Sequence, residues 1–321
     1  MGESSRLKIG KCTYIFPSTL RYAEEQPNQP ASLISLVIMA IVAALSREKL
    51  LTNARSLPAA PQVLSELGEL LQDVNTGLDE ISDLLKRDAA LAARIIRISN
   101  SSAMGGGSRI GSVEEAVNRV GFAEVYRLVG LATTSRLADR DLNYYRLNAE
   151  PLRHHMMFGA LAAEALAQRC GMDARNAYTA GLMRPLGMLL IDRAARERVP
   201  ITEAFDPEKN ESYDKWEGAI FGICHTEVAA MILGEWKFPV EMISMVREHY
   251  LSREADFSNT FACILNLAVS MTTQAGLGFV GEPHFTSSNE RALQAIGLDG
   301  DALAEISAQI TEAYERIKES I

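Results

Sequence analysis

The side chains able to do chemistry in this chain of 321 residues are few and widely spaced. His154 and His155 are adjacent. His225 lies in Cys224-His225-Thr226-Glu227-Val228 and His249 in Glu248-His249-Tyr250. Imidazoles can hold a transition metal that activates water. A hard, catalytic two-metal centre also needs carboxylate ligands, and scattered histidines alone make it poorly. The cysteines, Cys12, Cys170, Cys224 and Cys263, form no CxxC pair, and none has an evident activating base. Gly105-Gly106-Gly107 lacks the preceding strand and following lysine of a phosphate loop. Arg184 is the odd residue, charged within the otherwise apolar Ala180-Gly181-Leu182-Met183-Arg184-Pro185-Leu186-Gly187. It has two jobs open to it. It could pair with a buried carboxylate such as Glu227, or its forked guanidinium could bind a phosphate or another anion. The structural job takes precedence, because a buried charge needs a partner in any case.

Composition limits what these residues could serve. Hydrophobic residues make up 47% and charged residues 23%, enough for a real core. The formal net charge of -9 argues against binding nucleic acid, which needs a concentrated basic face. A local basic patch stays compatible with that total. The lack of a cysteine framework points to a reducing, cytoplasmic setting. The apolar run 33–45 falls short of the ~20 residues that span a bilayer. It reads first as a core or partner-packing helix, a candidate surface for self-association, and only second as a membrane-associated segment.

The elements that must position these groups are helical throughout. Residues 1–30, with Pro17, Pro27 and Pro30, read as an extended arm. A helix is expected over 31–53, ended by Pro58 and Pro61. Helical spacing then recurs from 61 to about 140, as in Val63, Leu64, Leu67, Leu70 and Leu71. Ser112 and Glu115 have capping-box spacing. Asn100 and Ser101 stand where a helix must stop and can bond local backbone; a recognition role for Arg94, Arg97 and Asn100 is the alternative. In the second half, helices are expected over 156–167, 177–191, 217–237, 240–249, 259–275 and 303–318. The polar stretch 200–216 reads as a connection. No alternating strand pattern of useful length stands out. The expected fold is all-α, a multi-helix bundle with an arm (1–30), an N-terminal helical subdomain (31–145) and a second subdomain (146–321).

Several separated blocks resemble the HDOD family, a degenerate relative of the HD phosphohydrolases. They are Leu57-Pro58-Ala59-Ala60-Pro61, Leu84-Leu85-Lys86-Arg87-Asp88-Ala89-Ala90-Leu91 and Arg94-Ile95-Ile96-Arg97-Ile98-Ser99-Asn100-Ser101, followed by Ser112-Val113-Glu114-Glu115-Ala116-Val117 and Val120-Gly121-Phe122. Glu235-Trp236-Lys237-Phe238-Pro239 is similar to the family's tryptophan–proline junction. The resemblance implies an HD-like helical bundle. It also implies where a metal-binding His-Asp pair would sit, at positions 184 and 185. Arg184 and Pro185 stand there instead. Arginine has no lone pair for a cation and keeps its charge, and proline has no side-chain donor atom. The terminal aspartate ligand is not evident in Leu265-Asn266-Leu267-Ala268-Val269.

What the resemblance implies for function is a non-catalytic output module of bacterial signal transduction, without a cofactor or a bound metal. Such a module would act through regulatory protein partners or through a ligand in the degenerate pocket. Candidate pocket residues are His154, His155, Arg184, His225, Glu227 and His249. The alternative is a phosphohydrolase with non-standard metal ligands, acting on a nucleotide or phosphate ester.

Overall fold

A computed structural model describes residues 5–9, 12–16, 46–55, 60–73, 75–100, 109–197 and 199–318. The apolar run 33–45 and the triple glycine lie outside the described residues.

An all-α body follows a small hairpin. Strands β1 (Ser5–Ile9) and β2 (Cys12–Phe16) pair antiparallel, with Ile9 opposite Cys12. These ten are the described residues of the arm expected over 1–30. Each run is five residues, an ordinary strand length, so the expectation that no strand pattern of useful length stands out missed them.

Among the described residues, seven helices make the first half: α1 (Arg47–Arg55), α2 (Ala60–Leu70), α3 (Leu78–Lys86), α4 (Ala89–Ser99), α5 (Val113–Val120), α6 (Phe122–Leu137) and, leading into the second half, α7 (Ala149–Arg169). The polar punctuation explains the breaks. Asp88 caps α4 by accepting the Ala90 and Leu91 amides at 3.0 and 2.9 Å. Ser112 caps α5 through the Glu115 amide at 3.2 Å, and the Glu115 carboxylate turns back to the Gly111 amide rather than to the cap residue. Asn100 has the structural role. Its side chain exchanges two hydrogen bonds with the Ile110 backbone, at 2.8 and 3.0 Å, and donates a third to Ile96 O. It thus ties the end of α4 to the chain ten residues on.

The second half contains α8 (Ala174–Met183), α9 (Leu186–Ala195), α10 (Tyr213–Ile220), α11 (His225–Glu235), α12 (Val240–Glu248), α13 (Thr260–Thr272), α14 (Glu290–Ile296) and α15 (Gly300–Ile317). Its centre is α7, against which α8, α13 and α15 pack. α6 is buried along most of its length and joins the halves, meeting α2 on one side and α7 and α8 on the other. Thr260–Leu277 is apolar enough to match a membrane span by length, with mean hydropathy 1.2, but 61% of it is buried among other helices.

Three expectations need correction; one is the helix expected over 177–191, which is two, α8 and α9, divided at Arg184 and Pro185. The 200–216 stretch is more than a connection. It buries Phe205, Tyr213 and Trp216, whose rings meet Tyr145 and one another at 4.6–6.4 Å. The helix expected over 217–237 is two helices, α10 and α11, bent by 80°. Gly222, at φ +70°, makes the turn between them.

Candidate functional site

Arg184 ends α8, and Pro185 starts the next helix because it has no amide to continue the first. The break turns the Arg184 side chain inward, where only 1% of it is exposed. Its guanidinium grips Glu282 with both arms, at 2.6 and 3.1 Å. The Glu282 side chain is also 1% exposed. The second arm of Arg184 also donates to Nε2 of His155. His155 donates from Nδ1 to Leu277 O at 2.7 Å, which fixes it as a neutral ring with its lone pair on Nε2. The ring stacks on Phe279, centroids 3.8 Å apart. Burial, then the Arg184 charge, pushes His155 down to about 3.

Glu282 takes a further hydrogen bond from the Tyr250 hydroxyl at 2.8 Å. Burial pushes its carboxyl upward, but the charge and hydrogen bonds of Arg184 outweigh that and hold it at about 2. A second carboxylate, Glu217, faces His225. Its oxygens lie 2.9 Å from His225 Nδ1, and it also accepts the His225 amide at 2.8 Å and the Tyr145 hydroxyl at 2.6 Å. Burial lowers His225, but the Glu217 charge and hydrogen bond bring it above its ordinary value. Its free Nε2 lies 4.0 Å from Glu282. Two carboxylates thus balance an arginine and a protonatable histidine.

His249 completes the cluster. Nδ1 donates to Val246 O at 2.8 Å, and the ring lies parallel to Phe285, at 7° and 5.8 Å. Burial, then Arg184, pushes it down to about 3. Asn266 donates to His249 O at 2.8 Å. Nε2 of His225, Nε2 of His249 and Oδ1 of Asn266 are buried without a hydrogen-bond partner among the described residues.

Two of the candidate residues lie elsewhere. Glu227 is exposed on the first turn of α11; the partner of Arg184 is Glu282, not Glu227. His154 points away from its neighbour, toward α15, where its Nδ1 meets the Tyr314 hydroxyl at 2.7 Å. His155, Arg184, His225 and His249 come together. The sequence reading missed Glu217, Tyr145, Tyr250 and Glu282. Glu282 is separated from Arg184 by 98 residues and lies in a loop without periodicity. The only clue to it was the requirement that a buried arginine find a carboxylate.

Glycines let the backbones close around the cluster. A Cβ on Gly187 would fall 1.9 Å from His225 O, and one on Gly281 would fall 2.3 Å from the Tyr213 ring. Tyr213 also donates its amide to Gly281 O at 2.7 Å, pinning the loop that carries Glu282. Gly187→Ala is therefore expected to push α9 from α11 and to cost about 1–3 kcal/mol. A urea midpoint unchanged from the parent would refute the close approach.

A divalent metal does not fit this arrangement. Arg184 lies between His155 and Glu282, both of which are committed to it. A fixed positive charge there repels a cation, and Pro185 offers no donor. Among the described residues, no group of three His, Cys, Asp or Glu is placed to hold one.

Comparison with known proteins agrees with the fold. No curated protein matches the chain. An HDOD domain protein of unknown function from Geobacter sulfurreducens superposes with a TM-score of 0.63 at 22% identity, over 85% of this chain and 99% of the other. A protein from Marinobacter aquaeolei VT8, provisionally described as a signal transduction protein, gives 0.59 at 20% identity, over 88% of this chain and 64% of the other. One from Shewanella amazonensis SB2B, provisionally described as a phosphohydrolase, gives 0.54 at 21% identity, over 88% and 97%. At these identities the likeness is one of fold. In sequence, the model of the HDOD domain matches residues 57–252, more than half of the chain, and the protein belongs to the HDOD domain family.

Proposed function

We propose that this HDOD protein is a non-catalytic module of signal transduction, working in the cytoplasm through protein partners. One observation carries the reading. At the place where the family resemblance would put a metal-binding His-Asp pair stands Arg184, held in an ion pair with Glu282 that is buried on both sides. The pair neutralises the carboxylate, occupies the lone pair of His155 and leaves a positive group where a hydrolase needs a cation. A cluster of this kind fixes the geometry of α7, α8, α12 and the 279–283 loop. It is suited to holding a surface in one shape for a partner rather than to turning over a substrate. The description of the Marinobacter relative is consistent with such a role.

The test is metal analysis of the purified protein together with a phosphatase and phosphodiesterase panel. The expected result is sub-stoichiometric metal and no turnover above background. Stoichiometric iron, manganese or zinc, with turnover abolished by His225→Ala, would overturn the proposal in favour of an atypical phosphohydrolase.

A further inference from the structure

The C-terminal ends of α6 and α9 meet at a cleft of about 200 Å3 lined by Arg136, Arg140, Arg193 and Arg196. Helix C-termini carry partial negative charge and attract basic side chains on their own. Each arginine must therefore be weighed against that ordinary role. Arg136 is spent on both oxygens of Asp88. Arg196 is spent on Asp192, at 2.7 Å, and on Asp141 O. The other two are not absorbed. Arg193 is exposed and has no hydrogen-bond or ion-pair partner among the described residues. Arg140 is exposed and, among the described residues, meets only its chain neighbour Asp139, at 3.5 Å.

Three aspartates, Asp139, Asp141 and Asp192, also line the cleft and offset part of this charge. Asp192 is buried and already accepts the Tyr144 amide at 2.8 Å besides Arg196. Asp141 accepts the Ala149 amide at 2.8 Å. The positive face also continues over α4 and α7. Arg94 reaches Ser135 Oγ at 2.6 Å and Arg153 reaches Ala138 O at 2.9 Å, while Arg97 stands exposed. Burial pushes Arg94 below its ordinary value, and Arg97, Arg153 and Arg136 push it further. Four helices thus bring arginines to one side of a chain whose net charge is -9.

We propose that this cleft binds a phosphate-bearing small molecule with two or more phosphoryl groups, of the nucleoside diphosphate kind. Guanidinium forks match phosphoryl oxygens in pairs. The cleft is smaller than the roughly 300–1,000 Å3 of pockets that enclose a whole ligand. It would take the phosphates, with Arg140 and Arg193 as the gripping residues. A nucleic-acid strand would need a basic track with stacking aromatic side chains, and the cleft lining has no aromatic residue. The cleft shares no lining residue with the Arg184 cluster, so the inference stands apart from the reading of that cluster.

The test is isothermal titration of the full chain with sodium pyrophosphate, adenosine diphosphate and a single-stranded oligonucleotide at low salt. Saturable binding of one or both phosphate compounds is expected, weakening as salt rises. The Arg140→Ala/Arg193→Ala pair should weaken it by about tenfold or more. Both positions are exposed, so the urea midpoint should stay at the parent value, and Lys237→Ala, outside the cleft, should keep the parent affinity. Equal affinities would assign the site to the phosphoryl chain alone; tighter adenosine diphosphate would add a contact to the organic part. Binding of the oligonucleotide only, no saturable binding at millimolar concentration, or an unchanged affinity in the double variant would overturn the proposal.

Discussion

Arg184→Met should destabilise the protein by about 3–5 kcal/mol, because it leaves the Glu282 carboxylate buried without its paired guanidinium. Glu282→Leu should cost a similar amount by stranding the guanidinium. The two losses should not add. In Arg184→Met/Glu282→Leu both charges are gone, and side chains of comparable volume fill the space. The double variant should then be more stable than either single one, short of the parent by the cost of leaving the Tyr250 hydroxyl and His155 Nε2 unpaired. Urea unfolding of the four proteins gives the coupling directly. Additive losses of under about 1 kcal/mol each would mean an ion pair of the weak, solvated kind, and the reading of the cluster as internally paired would fall with them. Should the single variants fail to fold, a soluble double variant decides the matter alone.

Arg184→Met also bears on His155. The arginine charge is one of the two causes that push this ring down. Its removal should raise the ring's titration in a histidine NMR experiment, although burial remains. A ring that is merely packed near Arg184, without electrostatic contact, would not move.

The residues on which this cluster rests were legible to different degrees. His155, Arg184, His225 and His249 could be picked out because each stands at a recognisable place in a helical block. Which of the adjacent histidines points inward could not. That depends on how α7 is rotated against α13 and α15, and the rotation gives His155 to the core and His154 to Tyr314. The Arg184 partner was misplaced for a related reason. Glu227 is close to His225 in sequence and lies on the same helix, but the first turn of α11 presents it to solvent. Glu282 arrives through a loop held by Gly281 against Tyr213, a long-range contact with no local signature. The same contrast holds for the fold. Helices with a repeating apolar face, such as those holding Leu64 and Leu67 or Leu84 and Leu85, announce themselves. The 200–216 stretch hid its role because Phe205, Tyr213 and Trp216 are irregularly spaced and pack edge-on to one another, an arrangement that needs the folded chain to exist.

Protonation should make stability fall on both sides of about pH 6.5, the ordinary titration point of histidine. His155 and His249 stay neutral in the folded protein down to about 3, whereas in the unfolded chain they take up protons near 6.5. Below that point the unfolded state holds more protons, so each ring removes stability as pH falls, at a limiting slope of about 1.4 kcal/mol per pH unit. Glu282, held at about 2, acts in the same direction further down. Its contribution is complete above the ordinary carboxylate value and is lost as pH drops through its folded value. His225 has the opposite sign. Its raised value means that the folded protein keeps a proton the unfolded chain gives up. Its stabilisation is complete below about pH 6.5 and is lost as pH rises through the folded value. Urea midpoints between about pH 5 and pH 8 should therefore pass through a maximum. His249→Phe, whose ring can keep the parallel contact with Phe285, should roughly halve the slope of the acid limb that the two neutral rings create. Glu217→Gln, which removes the charge that raises His225, should flatten the alkaline limb instead. An acid limb equally steep in the parent and in His249→Phe would show that His249 takes up its proton in the folded protein, and the cluster would then not be the dry, internally paired site described above.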